Sequence, residues 1–225
     1  VPYVNNEDLG LVGPVTEYGI DRDTFYGVPG RDFQTVEETV ATAKANYAFD
    51  NGMTLTNTFR AARSTNDYVL TAPSSLIDND STNPEDWEVG LSFKSWNQQT
   101  DVLANVLELS GAAQFAGASH SYVLGLATSR EEIEKLSYSN LSSEDYEPPA
   151  GQRGCTVSAV NPDPIGEGCW SGEEPVLGTD LTETTVKTTS LYALDTVTLS
   201  NRLKVNGGLR VDMYDIARSG GTGED

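Results

Sequence analysis

The sequence predicts an all-β chain, about six antiparallel strands in three hairpins, taken from the wall of a larger transmembrane β-barrel with long extracellular loops. Three observations carry this. Strand-length segments alternate so that one face of each is apolar. The connections between them are alternately tight and long, as in outer-membrane barrels with short turns at one end and loops at the other. The acidic residues gather in the long connections, at Asp78 to Glu88, Glu131 to Glu147 and Glu173 to Glu183, while the turn-linked segments are nearly uncharged.

Residues 39–49 place Ala41, Ala43, Ala45, Tyr47 and Phe49 on one face against Thr42, Lys44, Asn46 and Ala48. Asp50-Asn51-Gly52 is a strong tight-turn signal. Residues 53–66 return with Met53, Leu55, Phe59 and Ala61 opposite Thr54, Thr56, Thr58 and Arg60, with Asn57 the one misfit. A long loop from Thr71 to Trp87 follows. Residues 95–116 then align Leu103, Leu107, Leu109, Ala113 and Phe115 against Glu108, Ser110 and Gln114. Ala116 to Ser119 turn the chain into residues 120–130, which carry Tyr122, Leu124 and Leu126 outward. A second long loop runs from about Glu131 to Glu183 and includes the Pro148-Pro149 break. Residues 186–200 and 203–216 make the third hairpin about Ser200-Asn201-Arg202, with Leu209, Val211 and Met213 opposed to Arg210, Asp212 and Tyr214.

The tight turns order these six segments as consecutive antiparallel strands of one curved sheet. Ala43, Leu55, Phe59, Leu107, Leu109, Leu124 and Val211 are expected to face lipid and to stand exposed. Tyr47, Phe49 and Phe115, beside the tight turns, suit an interfacial girdle. A soluble sandwich is the competing reading. It would bury the same residues under a second sheet, but it imposes no short-long alternation of loops.

Of 225 residues, 34 are acidic and 14 basic, a net charge of −20, which argues against nucleic acid as a partner. Val1-Pro2-Tyr3 has no initiator Met, charged n-region or apolar h-region, and reads as the start of a piece of a longer chain. Cys155 and Cys169 share one Gly/Pro-rich stretch without histidines, so a loop disulfide is the better reading than zinc, with two free thiols as the alternative. The bond is expected at the tip of the longest loop, on the outer surface, and implies an oxidising compartment.

TTSLYALDTVTLSNRLKVNGGLRVDMYD resembles a recurring hairpin of the TonB-dependent siderophore receptors of Gram-negative outer membranes, through Tyr192, Asp195, Thr196, Gly208, Arg210 and Asp212. LSGAAQFAGASHSYVLGLATS is similar to another, through Leu109, Gly111, Phe115, His120 and Gly125. DRDTFYGVPGRDFQT, Asp21 to Thr35, resembles the catecholate-type branch. The resemblance implies a barrel of about 22 strands closed by an N-terminal plug that contacts TonB. It also implies energy-coupled uptake of ferric siderophores, with the siderophore, TonB and the outer-membrane bilayer as partners. Against that pattern the sequence contains no plug or TonB-contacting segment and ends in a loop-like stretch from Gly220 to Asp225. It therefore reads as a partial barrel, residues 1–225, from the first half or middle of the wall.

No catalytic constellation is visible, no metal site is expected, and no cofactor is called for, the ferric siderophore being cargo. The single histidine, His120, excludes a multi-histidine site and is expected to be structural at the periplasmic rim. Asp78, Asp80 and Glu85 lack the spacing of a calcium loop. Since ferric siderophores are commonly anionic, candidate contacts are arginines with nearby aromatics. Alternation is expected to send Arg60, Arg63 and Arg210 to the polar, lumenal side, while Arg22, Arg31 and Arg153 lie in loop segments near Phe25 and Tyr26. Arg60, Arg63 and Tyr68 are the candidate lining of the ligand path. The competing reading pairs these arginines with lumenal carboxylates such as Glu108 and Asp212.

Two classes of function follow. One is an outer-membrane receptor for ferric siderophores; the other is a non-transporting surface protein, a porin-like barrel or a soluble adhesion or carbohydrate-binding domain.

Overall fold

The computed structural model describes residues 2–142 and 155–220. The Pro148-Pro149 break, Arg153 and the final residues 221–225 lie outside them. The elements in order are β1 (Tyr3–Asn6), β2 (Leu11–Pro14), a 3-10 turn (Val15–Tyr18), β3 (Phe33–Ala48), β4 (Thr54–Ile77) and a second 3-10 turn (Pro84–Asp86). Then come β5 (Glu88–Phe115), β6 (Ala118–Leu136), β7 (Tyr138–Ser139), β8 (Thr156–Ser158), β9 (Val176–Leu177), β10 (Thr182–Ser200) and β11 (Leu203–Gly220).

The six expected strands are present and adjacent in the expected sequence, β11-β10-β6-β5-β4-β3, with β8 added against β5. The turns do what their residues dictate. Phe49 N–H donates to Met53 O at 2.8 Å, and Gly52 supplies a φ of +83°. Ala116 and Gly117 both take positive φ, 51° and 80°, the pairing whose twist suits a two-residue hairpin.

The strands differ from expectation at their loop ends. β4 continues to Ile77, β5 begins at Glu88 and β6 runs to Leu136, so the segments read as loops from Thr71 and from Glu131 are partly strand. About ten tilted residues cross a bilayer, whereas β5 has 28. Beyond the membrane a strand keeps its backbone ladder but no longer needs an apolar face toward lipid, so the lipid-enforced alternation that betrays it in the sequence stops while the strand goes on.

The chain divides into two compact units. One comprises residues 37–65, 98–135 and 180–225, and the other residues 1–36, 66–97 and 136–179. The first is pure sheet. Leu191 stands across from Leu126 and from Val211, and Ala193 across from Leu124 and Leu209, so these residues share one face. Nothing covers it: Phe59, Leu107, Leu124, Leu209 and Val211 are exposed, and Leu55 and Leu109 are half-buried only by their apolar neighbours. A second sheet, which the soluble sandwich requires, does not cover this face among the described residues. Tyr47 and Phe49 meet edge to face at 4.9 Å beside the first turn, and Phe115 is exposed beside the second, as an interfacial girdle requires.

Asn57 is not a flaw in this face. Its amide and that of Asn105 on the next strand donate to each other, at 3.0 and 3.2 Å, so each satisfies the other where lipid offers no partner. Asn57→Ala alone should destabilise the barrel by about 1–3 kcal/mol, because Asn105 is left unpaired in hydrocarbon. Changing both to leucine should restore stability, measured by urea unfolding of the full-length receptor in phospholipid vesicles. A single variant as stable as the parent would refute the pairing.

The second unit has a core of its own. Val4, Leu11, Val15 and Ile20 from the N-terminal stretch pack with Trp87, Val89 and Leu91 of the β5 end and with Val157, Ala159 and both cysteines. Leu91 N–H donates to Cys155 O at 2.6 Å and Ala159 N–H to Trp87 O at 2.9 Å, so the cysteine segment is stitched to the strand.

Candidate functional site

The sheet unit offers two faces of opposite chemistry. On the polar face, Tyr192 donates its hydroxyl to Glu108 at 2.7 Å. The guanidinium of Arg210, directly across from Tyr192, lies 5.7 Å from the tyrosine ring centre. Arg210 also pairs with Asp212 at 2.8 Å and donates to Ser190 Oγ, which in turn donates to Asp212 at 2.5 Å. The tyrosine has room because Gly125 stands across from it: a Cβ there would fall 2.0 Å from the ring. Tyr192, Arg210 and Asp212 of the recurring hairpin motif join Glu108 and Ser190 in one hydrogen-bonded wall patch. Arg210 and Asp212 thus pair as the competing reading expected, while Glu108 is held by Tyr192. Arg60 alternates onto the same polar side as Thr54, Thr56 and Thr58, is exposed, and makes no ion pair among the described residues.

Arg63 departs from the expectation. Counting by two from Phe59 and Ala61 puts it on their face, the apolar one, and it lines one groove with Ala61 and Leu103. It grips Asp101 with both edges, Nε to Oδ1 at 2.7 Å and Nη2 to Oδ2 at 3.1 Å. The grouping of Arg63 with Arg60 on the lumenal side is corrected here: three residues apart, they point to opposite faces. Arg130 and Glu132 form a second pair in the same groove. Together they make a charged margin to the apolar face.

His120 makes the kind of hydrogen bond expected of it, pairing through Nδ1 with Asp195 at 2.6 Å.

The loop-end unit holds Tyr68, half-buried, and by alternation on the side opposite Asp67 and Val69. Two other groups there have clear structural tasks. Arg31, whose side chain is 0% exposed, pairs with Asp32 at 2.9 Å, donates to Thr71 Oγ1 and the Leu141 carbonyl, and stacks 4.3 Å from the Phe93 ring centre. It is therefore a buried pin and not a loop arginine open to ligand, while Arg22 is exposed. Sequence reasoning missed this because a buried arginine and an exposed one look alike until their partners are known.

The cysteines are bonded, but their place differs from expectation. Cys155 and Cys169 are 1% and 0% exposed and belong to the apolar core, not to an exposed tip. The cause lies in flanking Val157 and Ala159, which alternate inward with Cys155 as β8 adds to β5.

Burial raises the phenol of Tyr26, which donates to Ala159 O at 2.6 Å. Burial first, then the Asp67 carboxylate that accepts its hydroxyl proton at 2.7 Å, pushes Tyr138 up to about 12. The folded value exceeds the usual 10, so the neutral phenol stabilises the fold fully below pH ~10, and this contribution disappears as pH rises through ~12. Carbon-13 tyrosine spectra of the full-length receptor should show Tyr138 still protonated at pH ~11, and Tyr138→Phe should flatten the alkaline loss of stability. A midpoint at ~10 would contradict the Tyr138–Asp67 bond.

The sequence model of the family described as "TonB dependent receptor-like, beta-barrel" matches residues 1–225. The chain belongs to this family. Its proteins are outer-membrane β-barrels of Gram-negative bacteria, receptors and transporters and not enzymes. Among curated relatives of this TonB-dependent receptor barrel is the probable TonB-dependent siderophore receptor PiuA of Acinetobacter baumannii, 25% identical over 205 residues, covering 87% of this chain and 26% of the relative. The catecholate siderophore receptor Fiu of Escherichia coli O157:H7 is 24% identical over 198 residues, covering 87% of this chain and 24% of the relative. The TonB-dependent receptor barrel spans about a quarter of the length of these relatives. The crystal structure of PiuA from Acinetobacter baumannii superposes with a TM-score of 0.74 at 23% identity, over 98% of this chain and 31% of that one. The open form of Fiu from E. coli K12 gives 0.69 at 19% identity, over 89% and 29%. These two superpositions establish the fold.

Proposed function

We propose that this segment forms part of the barrel wall of an outer-membrane receptor that takes up ferric siderophores with energy delivered by TonB. The observation that carries the reading is the match of the whole chain to the receptor barrel family, whose relatives PiuA and Fiu are named as siderophore receptors. On this reading contact with TonB belongs to a plug domain, and these 225 residues, all matched to the barrel family, contribute wall. Along the ligand path we assign Arg60 and Tyr68. Arg60 supports this with its exposed place on the polar face and its lack of a carboxylate partner among the described residues. Arg63, engaged by Asp101 on the apolar side, serves as an outward ion pair.

The test is growth of a deletion strain under iron starvation on a panel of ferric siderophores, catecholates included, with the full-length gene supplied in trans. Growth on a catecholate should return with the gene. With Arg60→Ala, ligand affinity should fall about tenfold or more, the effect of losing one charge-assisted contact to an anion. Growth independent of the gene on every siderophore would overturn the uptake reading. An unchanged affinity would remove Arg60 from the path.

A further inference from the structure

The apolar face carries one chemical exception close to the short turns. Asp195 alternates onto it with Leu191 and Ala193, across from Tyr122 on one side and Gly207 on the other. From Leu126, Leu191 and Val211 to the turns, it is the one carboxylate of that face among the described residues. Its side chain is 39% exposed, and Oδ2 bonds to His120 Nδ1 at 2.6 Å. Oδ1 has no partner. An ionised carboxylate offers about four acceptor positions, and here one is used. In the lipid-facing wall no water stands ready for the second lone pair of Oδ2, so beside His120 the open side of the carboxylate has room for one further donor that also carries positive charge.

The surroundings are shaped for a ligand that brings both. Opposite Asp195, Gly207 leaves open space, with no atom within 4 Å of where a Cβ would stand. That notch opens into a groove of about 490 Å³ past Leu124, Ala193 and Leu209. A second groove of about 490 Å³ shares those three residues and continues to Leu126 and Val211.

We propose that this groove holds a phospholipid with a primary-ammonium headgroup. Its N–H donors meet the Asp195 carboxylate over Gly207, and an acyl chain lies along Leu124, Leu209 and Val211. Charge complementarity selects the occupant. A headgroup without an ammonium brings the carboxylate no positive charge, and a quaternary ammonium brings charge but no N–H. The proposal rests on the apolar face meeting lipid and not on what the receptor carries.

The experiment uses the purified full-length receptor that contains this segment. It is stripped of lipid, offered equal amounts of phosphatidylethanolamine, phosphatidylcholine and phosphatidylglycerol in mixed micelles, and read by native mass spectrometry. The parent should retain phosphatidylethanolamine about tenfold over phosphatidylcholine, the scale of one charge-assisted hydrogen bond. Asp195→Asn should abolish the preference. Gly207→Leu, which fills the notch and leaves the carboxylate intact, should abolish it too, and serves alone if Asp195→Asn does not yield a heat-modifiable folded barrel. Equal retention of the three lipids, an undiminished preference in either folded variant, or a copurifying protein in place of lipid would overturn the proposal. Siderophore uptake is not read, so failure here leaves the uptake reading untouched.

Discussion

Arg31→Met should loosen the loop-end unit by about 3–5 kcal/mol, the scale for removing one member of a buried ion pair. The methionine replaces the volume but leaves Asp32, 12% exposed, without its cation. Asp32 also accepts the backbone N–H groups of Val28 at 3.1 Å and Thr71 at 3.0 Å, so the damage is local and readable. Hydrogen exchange on the full-length receptor should show these two amides losing protection by a hundredfold or more, with the amides of the sheet unit unaffected. Asp32→Asn in the same background should recover part of the loss, since a neutral amide tolerates burial better than an unpaired carboxylate. Protection within a factor of two of the parent would mean that Arg31 is dispensable.

Replacing Cys155 and Cys169 together with serine should be the other large effect. The bond closes a loop of sequence separation 14, which constrains the unfolded segment by about 3 kcal/mol through chain entropy. Two hydroxyls would also enter a core where the cysteines are at most 1% exposed. Exchange protection of Leu91 and Ala159, whose amides tie the cysteine segment to β5, should fall at least a hundredfold. An exposed tip disulfide, the place its sequence context suggested, would leave those amides nearly unchanged, so the experiment separates the two positions.

What the sequence made legible was whatever a bilayer enforces. Leu107, Leu109, Leu124 and Val211 had to alternate outward, and Gly52 and Gly117 had to turn the chain, because lipid permits neither a misplaced polar face nor an unpaired backbone. Where that enforcement stops, the signal fades. The outer parts of β4 and β6 look like loop because no lipid enforces an apolar face there, and the apolar face of the outer part of β5, Val89 and Leu91, serves a core completed by distant segments. Arg63 was misassigned by three residues of parity within a segment whose pattern, from Ala61 to Ala62, momentarily ceases to alternate. Asn57 looked like an error until Asn105 was found opposite, and no single-strand pattern could reveal a partner 48 residues away. Arg31 and the cysteines belong to contacts made by chain segments far apart in sequence, which local periodicity does not record.

The core of the loop-end unit has a consequence for the order in which the protein can be assembled. Val4 and Leu11 share their core with Val157 and Cys169, so the seat of the N-terminal stretch is complete only when about 150 further residues have been made and delivered. Contacts of such sequence separation form late. The Cys155–Cys169 loop, by contrast, is short enough to close by itself once the chain reaches an oxidising compartment. The N-terminal stretch is then the last piece to seat. Until it does, Trp87 and Leu91 have only part of their cover, that from the cysteine segment, and the rest is a ready surface for whatever escorts the polypeptide to the membrane.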